Sequence, residues 1–159
     1  MVEERRGDVR ASYHQNRNRT GSTESAPSGK IGEITPQGSI TEFPIPTASS
    51  YPTLIAMGPD GNLWFDEWMG RIGRMTPTGS YVEYTMSASN AEMAGIAPGP
   101  DGNVWFTEGG IGSRVGFVTM AGVVKELPPL QRIPSGITAG PDGNMWFGCT
   151  GAICAYRLA

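Results

Sequence analysis

Two glutamates stand at the same phase of a recurring sequence, Glu67 in Trp64-Phe65-Asp66-Glu67 and Glu108 in Trp105-Phe106-Thr107-Glu108. A carboxylate repeated in this way can help hold a hard cation, which needs several oxygen ligands. Glu67 and Glu108 are therefore the candidate metal ligands, although two alone make an incomplete set. The competing reading is structural, with each Glu bonded to backbone or to an Arg at the end of its repeat. A third copy breaks the pattern and reads Trp146-Phe147-Gly148-Cys149. A bridge from Cys149 to Cys154 would require the second and third strands of that repeat to pair there. A metal reading fails for want of other soft ligands, so the expectation is two reduced, small apolar side chains. The one histidine, His14, lies outside every repeat. The residues alone support no catalytic assignment and no cofactor.

Other chemistry-bearing stretches resolve into turns and packing. Gly110-Ile111-Gly112-Ser113-Arg114-Val115-Gly116 has the wrong spacing for a dinucleotide loop and leads into a strand, not a helix. Asp60-Gly61-Asn62 and its copies imitate the start of a calcium loop but lack the further acids. The Trp-Phe pairs could line a ligand surface, but their strict recurrence reads as packing between neighbouring units.

What positions these residues is a repeat. Gly58-Pro59-Asp60-Gly61-Asn62-Leu63-Trp64-Phe65 returns at Gly99 and at Gly140, each copy 41 residues after the last. Within one period, Pro52–Met57 reads as a strand and Gly58-Pro59-Asp60-Gly61 as a tight hairpin turn, with Leu63-Trp64-Phe65 the returning strand. A polar stretch from Asp66 to Arg71 precedes a third strand, Ile72–Met75. Thr76-Pro77-Thr78-Gly79 turns the chain into a fourth, Tyr81–Tyr84. Ile31–Ile34 and Ile40–Phe43 repeat the third and fourth strands, as do Val115–Val118 and Val123–Leu127, with two extra residues around Gly109 to Ser113.

Four short antiparallel strands per period make the blade of a β-propeller, so the expected fold is all-β. About three blades fit between residues 31 and 159. That is fewer than the four to eight of a closed ring, and self-association to close the propeller is the corresponding expectation. Residues 1–30 hold half of the Lys and Arg, little apolar surface and no repeat, and read as a polar, disordered leader. The 23 Gly and 13 Pro come with 38% hydrophobic residues, a turn-rich composition that still supports a core. A net charge of -3 argues against nucleic acid as a partner. No run is long and apolar enough for a membrane-spanning helix, and the opening residues lack the apolar stretch of a secretory signal, from which a cytoplasmic location is expected.

The repeat consensus, together with Ile72-Gly73-Arg74-Met75-Thr76-Pro77-Thr78-Gly79 and Thr41-Glu42-Phe43-Pro44-Ile45-Pro46-Thr47, resembles the streptogramin lyases, also called virginiamycin B lyases. The resemblance covers residues 31–159. It implies a seven-bladed propeller for intact members and a carbon–oxygen lyase activity that linearises a cyclic depsipeptide antibiotic by elimination. It also implies a magnesium ion held by His and Glu, with a further His as base. Such an elimination needs a base for the α-proton and an electrophile for the developing enolate. Only the acids Glu67 and Glu108 map onto the family's requirements; no histidine does. The expectation is a partial propeller that is not a competent lyase alone. The alternative is a non-catalytic propeller binding a protein or small molecule at the channel mouth, near Asp66 to Gly70 and Gly109 to Ser113.

Overall fold

The computed structural model describes residues 8–12, 29–68, 70–87, 92–110 and 112–158, the first of these as backbone alone. The described residues hold fourteen strands and no helix. They form four antiparallel sheets that do not close into a ring. The first sheet contains β1 (Asp8–Ser12), β2 (Lys30–Ile34) and β3 (Ile40–Pro44). The second contains β4 (Ile55–Met57), β5 (Leu63–Glu67), β6 (Arg71–Met75) and β7 (Tyr81–Thr85). The third contains β8 (Glu92–Pro98), β9 (Val104–Gly109), β10 (Arg114–Val118) and β11 (Val124–Glu126). The last contains β12 (Pro134–Ala139), β13 (Met145–Cys149) and β14 (Ala152–Tyr156). The second and third sheets are complete four-stranded blades. The last has the blade's first three strands, while β2 and β3 of the first sheet repeat its third and fourth.

Two details differ from the sequence expectations. The polar stretch after Trp64-Phe65 is not all loop, because Asp66 and Glu67 are buried residues of β5 and Arg71 opens β6. The leader contains one strand: Asp8–Ser12 pairs with β2 in register from Asp8↔Ile34 to Ser12↔Lys30. The rest of the expected disordered leader, residues 1–7 and 13–28, lies outside the described residues.

The turns carry the repeat. Gly58 N donates to Asn62 O at 2.8 Å and Gly61 N to Gly58 O at 3.0 Å, while Gly61 takes φ +73°. This is a three-residue hairpin loop closed by a glycine in the left-handed region, which an L side chain enters only with strain. Asp60 fastens the turn to the strand: Oδ1 accepts from Trp64 Nε1 at 3.1 Å, and Oδ2 accepts from Asn62 Nδ2 at 2.7 Å. Asp101 and Asp142 make the same two bonds in their copies.

The aromatic pair then sets the stacking of the sheets. Trp64 packs with Ile72 of its own sheet against Val104, Phe106 and Val118 of the next, whereas Phe65 packs with Met75 against Ile31 and Ile45 of the preceding one. Trp105 repeats the forward contact, against Ile137, Met145 and Phe147. The Trp-Phe strand thus presents apolar side chains to both neighbours, as a sheet covered on each face must. First strands of successive blades approach closely. A methyl group at Gly95 of β8 would lie 2.7 Å from Ile137 N of β12, so only glycine fits there.

Candidate functional site

The two candidate ligands sit at equivalent ends of the two complete blades. Glu67 ends β5, is 3% exposed, and lies opposite Arg71 in the β5–β6 register. Its Oε1 accepts from the Tyr81 hydroxyl at 2.5 Å. The Tyr81 oxygen also lies 2.9 Å from Glu83 Oε2, and Arg71 Nε lies 3.6 Å from Glu83 Oε1. Glu108, 2% exposed, lies opposite Arg114, whose Nε is 3.6 Å from Glu108 Oε2 and whose Nη1 is 3.3 Å from Glu126 Oε2. Each complete blade therefore ends in a carboxylate–guanidinium–carboxylate cluster. The first sheet carries a reduced form, Lys30 Nζ to Glu42 Oε2 at 2.6 Å.

The outer carboxylate also joins one blade to the next. Thr47, which follows β3, donates to Glu83 at 2.6 Å across the sheet boundary, and Ser87, which follows β7, donates to Glu126 through both its hydroxyl and its backbone N–H. Neither link was apparent from the Trp-Phe motif. The signal was nonetheless in the sequence: Lys30, Arg71 and Arg114 precede Ile-Gly or Val-Gly at one phase, and Glu42, Glu83 and Glu126 recur at another.

Burial pushes Glu67 up to about 7. The Tyr81 hydrogen bond and Arg71 work against that rise, and Glu83 adds to it. Burial likewise pushes Glu108 up to about 7, with Glu126 reinforcing the rise and Arg114 opposing it. Desolvation together with the bond to Glu67 raises the Tyr81 hydroxyl. Carboxyls tuned near neutrality can mark acid–base sites. These two are almost wholly buried and recur blade after blade, which is the arrangement of an internal pairing.

Nor does the pair fit a magnesium ion. Each carboxyl faces a guanidinium, which repels a cation, and one oxygen of Glu67 is committed to Tyr81. The remaining oxygens without a hydrogen-bond partner among the described residues, Glu67 Oε2 and Glu108 Oε1, belong to different blades. No group of three or more His, Cys, Asp or Glu suited to a metal occurs among the described residues. His14 lies outside those residues.

The expectation of reduced cysteines is corrected. Cys149 and Cys154 form a disulfide across the β13–β14 hairpin, with Cα atoms 6.2 Å apart. The register gives the reason. Phe147 pairs with Cys154 just as Phe65 pairs with Gly73 and Phe106 with Gly116, and Cys149 takes the place of Glu67 and Glu108. A Cβ at Gly73 would lie 2.6 Å from Glu67 Oε1. When both positions carry cysteine, the two sulfurs are aimed at each other.

The loop after β5 presents Trp68, 54% exposed, with its backbone N–H on Ser50 O at 2.6 Å. The equivalent loop after β9 includes Gly110 and Gly112, both with positive φ. These are the two segments expected at a channel mouth.

The model of the virginiamycin B lyase family matches residues 22–155. The chain belongs to that family. Virginiamycin B lyase from Staphylococcus aureus superimposes with a TM-score of 0.69 at 33% identity, covering 81% of this chain and 48% of that one. A structure described as streptogramin B lyase gives 0.69 and 34%, covering 82% and 48%. A catalytically inactive histidine-to-alanine variant of the Staphylococcus aureus lyase, with quinupristin, gives 0.69 and 33%, covering 80% and 48%. The chain thus spans about half the length of the virginiamycin B lyases it matches. No curated protein matches it closely enough to count as a relative. Membership accounts for the all-β sheets and the propeller-like stacking, and the partial coverage accords with four sheets left open.

Proposed function

We propose that this chain is a structural part of a virginiamycin B lyase-type propeller and does not by itself catalyse carbon–oxygen bond cleavage. The observation that carries this reading is the fate of Glu67 and Glu108: both are spent on Arg71, Tyr81 and Arg114 inside their blades, and neither stands free beside a base. The inactivity of the histidine-to-alanine relative supports it, because the only histidine here is His14, remote in sequence from every repeat. The test is incubation of the purified full chain with quinupristin and magnesium, followed by mass spectrometry. No linear product above a buffer control is expected; turnover above that control would overturn the reading.

A second reading, a binding module for a small molecule, is favoured by Trp68, a large aromatic left exposed on the β5–β6 loop. Quinupristin titrated against the chain would then quench indole fluorescence in the parent and lose most of that response in Trp68→Ala. An equal response in both would remove Trp68 from any ligand site.

A further inference from the structure

We propose that the Cys149–Cys154 bond is a redox-operated latch: oxidised, it holds the β13–β14 hairpin against the third sheet, and reduced, it lets that hairpin open while the second and third sheets hold. Those two sheets pin the same place with charged side chains, Glu67 opposite Arg71 and Glu108 opposite Arg114. In the last sheet Cys149 stands opposite Ala152, so both charged members are gone. Among the described residues no ion pair or side-chain hydrogen bond joins β13 to β14. The disulfide is what links the side chains of these two strands.

Crowding around the pair separates the reduced state from the oxidised one. Cys154 occupies the position of Gly73 and Gly116, where a Cβ would come within 2.3 Å of the Phe65 ring and 2.4 Å of the Phe106 ring. Its own cross-strand neighbour is the equivalent Phe147. Bonded sulfurs stand about 2 Å apart, whereas free thiols need roughly 3.5–4 Å, the contact distance of non-bonded atoms. That room is lacking, because Cys149 is buried with Ile137 and Phe147 in the core shared with Trp105 of the third sheet, and Cys154 packs against the same core. Overpacking of this kind displaces side chains and backbone, and a strand pair without a charged clamp yields first.

Reduction has a route. Thr150, Gly151 and Ala152 are exposed and Cys154 is half-buried, so an incoming thiolate reaches the Cys154 sulfur. The S–S bond breaks with its electron pair leaving on Cys149. A second thiolate attacks the mixed disulfide and frees Cys154, and the reductant departs as its own disulfide. Two electrons have then passed to the protein pair, and each freed sulfur takes up a proton that a reductant thiol gave up. A disulfide donor runs the same steps backward. The hairpin is thus firm in an oxidising compartment and loose in one kept reduced by glutathione.

Hydrogen exchange of the full chain, equilibrated with reduced and oxidised glutathione at cytosolic and at secretory ratios, tests this, with alkylation and mass spectrometry counting free thiols. The cysteines should be free at the cytosolic ratio and bonded at the secretory one. In the reduced protein, amides of residues 145–156 should exchange about tenfold faster, with residues 63–75 and 104–118 unchanged. Cys149→Glu with Ala152→Arg and Cys154→Gly should exchange alike in both buffers; should that variant fail to fold, the second and third sheets of the parent serve as the control. A pair still bonded at the cytosolic ratio would overturn the inference, as would unchanged exchange after reduction. Protection lost evenly over all sheets would overturn it too, since the bond would then be a general staple and not a latch.

Discussion

The Tyr81 hydroxyl donates to Glu67 Oε1 at 2.5 Å, and both groups are held between Arg71 and Glu83 at the end of one blade. This bond favours the ionised form of a carboxyl that burial drives the other way. Tyr81→Phe should therefore raise Glu67 further and destabilise the chain by about 1–2 kcal/mol, the usual effect of removing one partner from a buried polar pair. Urea unfolding at neutral pH, compared with a Glu67→Gln, Tyr81→Phe double variant, measures the coupling.

Stability should fall as pH rises across the interval set by Glu67 and Glu108. Both have folded values raised to about 7 from 4.5. The unfolded chain releases these protons first, so the folded state binds more protons between those limits, and each carboxyl's contribution is full below the unfolded value and lost as pH passes the folded one. The loss amounts to at most about 3 kcal/mol per carboxyl. Urea midpoints from pH 4.5 to 8 should decline. The Glu67→Gln, Glu108→Gln double variant, which cannot ionise there, should show a flatter profile.

The turn aspartates should differ in importance. In Asp60, desolvation opposes ionisation, but bonds from Asn62 and Trp64 and the Arg74 ion pair at 2.7 Å outweigh it and lower the carboxyl. Arg74 also lies over the Trp64 ring, 5.5 Å from its centroid. Asp60→Ala frees several partners at once and should cost about 2 kcal/mol. Asp142 makes the equivalent bonds at the surface, so Asp142→Ala should shift the unfolding midpoint less. Thermal melts of the two variants give the order directly.

Removing the Cys149–Cys154 bond should destabilise the chain by about 2 kcal/mol, the chain-entropy value for so short a loop. Melting with and without reductant measures it. Restoring the repeat, Cys149→Glu with Ala152→Arg and Cys154→Gly, should yield a folded chain whose melting no longer responds to reductant.

Gly73→Ala tests the close approach that makes the cysteine substitution in the last sheet intelligible. Its methyl would meet the Phe65 ring and Glu67 Oε1, so overpacking should cost about 1–3 kcal/mol. An unchanged urea midpoint would show that Phe65 and Glu67 can shift without loss.

Much of this molecule was legible before its structure because its determinants are local. Gly61 and its copies close turns through bonds spanning a few residues, and the 41-residue recurrence of Trp-Phe orders the blades. The partners of Glu67 and Glu108 were less legible. Arg71 could be anticipated at a blade end, whereas Tyr81 and Glu83 reach Glu67 only through the pairing of β5, β6 and β7, and Thr47 reaches Glu83 only across a sheet boundary.

The sequence by itself therefore determined the turns, the four-stranded repeat and the family, all of which depend on short-range geometry repeated at a fixed interval. Only the tertiary structure decided that the two candidate carboxyls are buried against guanidiniums, that Cys149 and Cys154 are bonded, and that Trp146 and Ile153 lie uncovered. Burial and pairing belong to the spatial register of neighbouring sheets, and equivalent residues share a phase in the chain without sharing an environment.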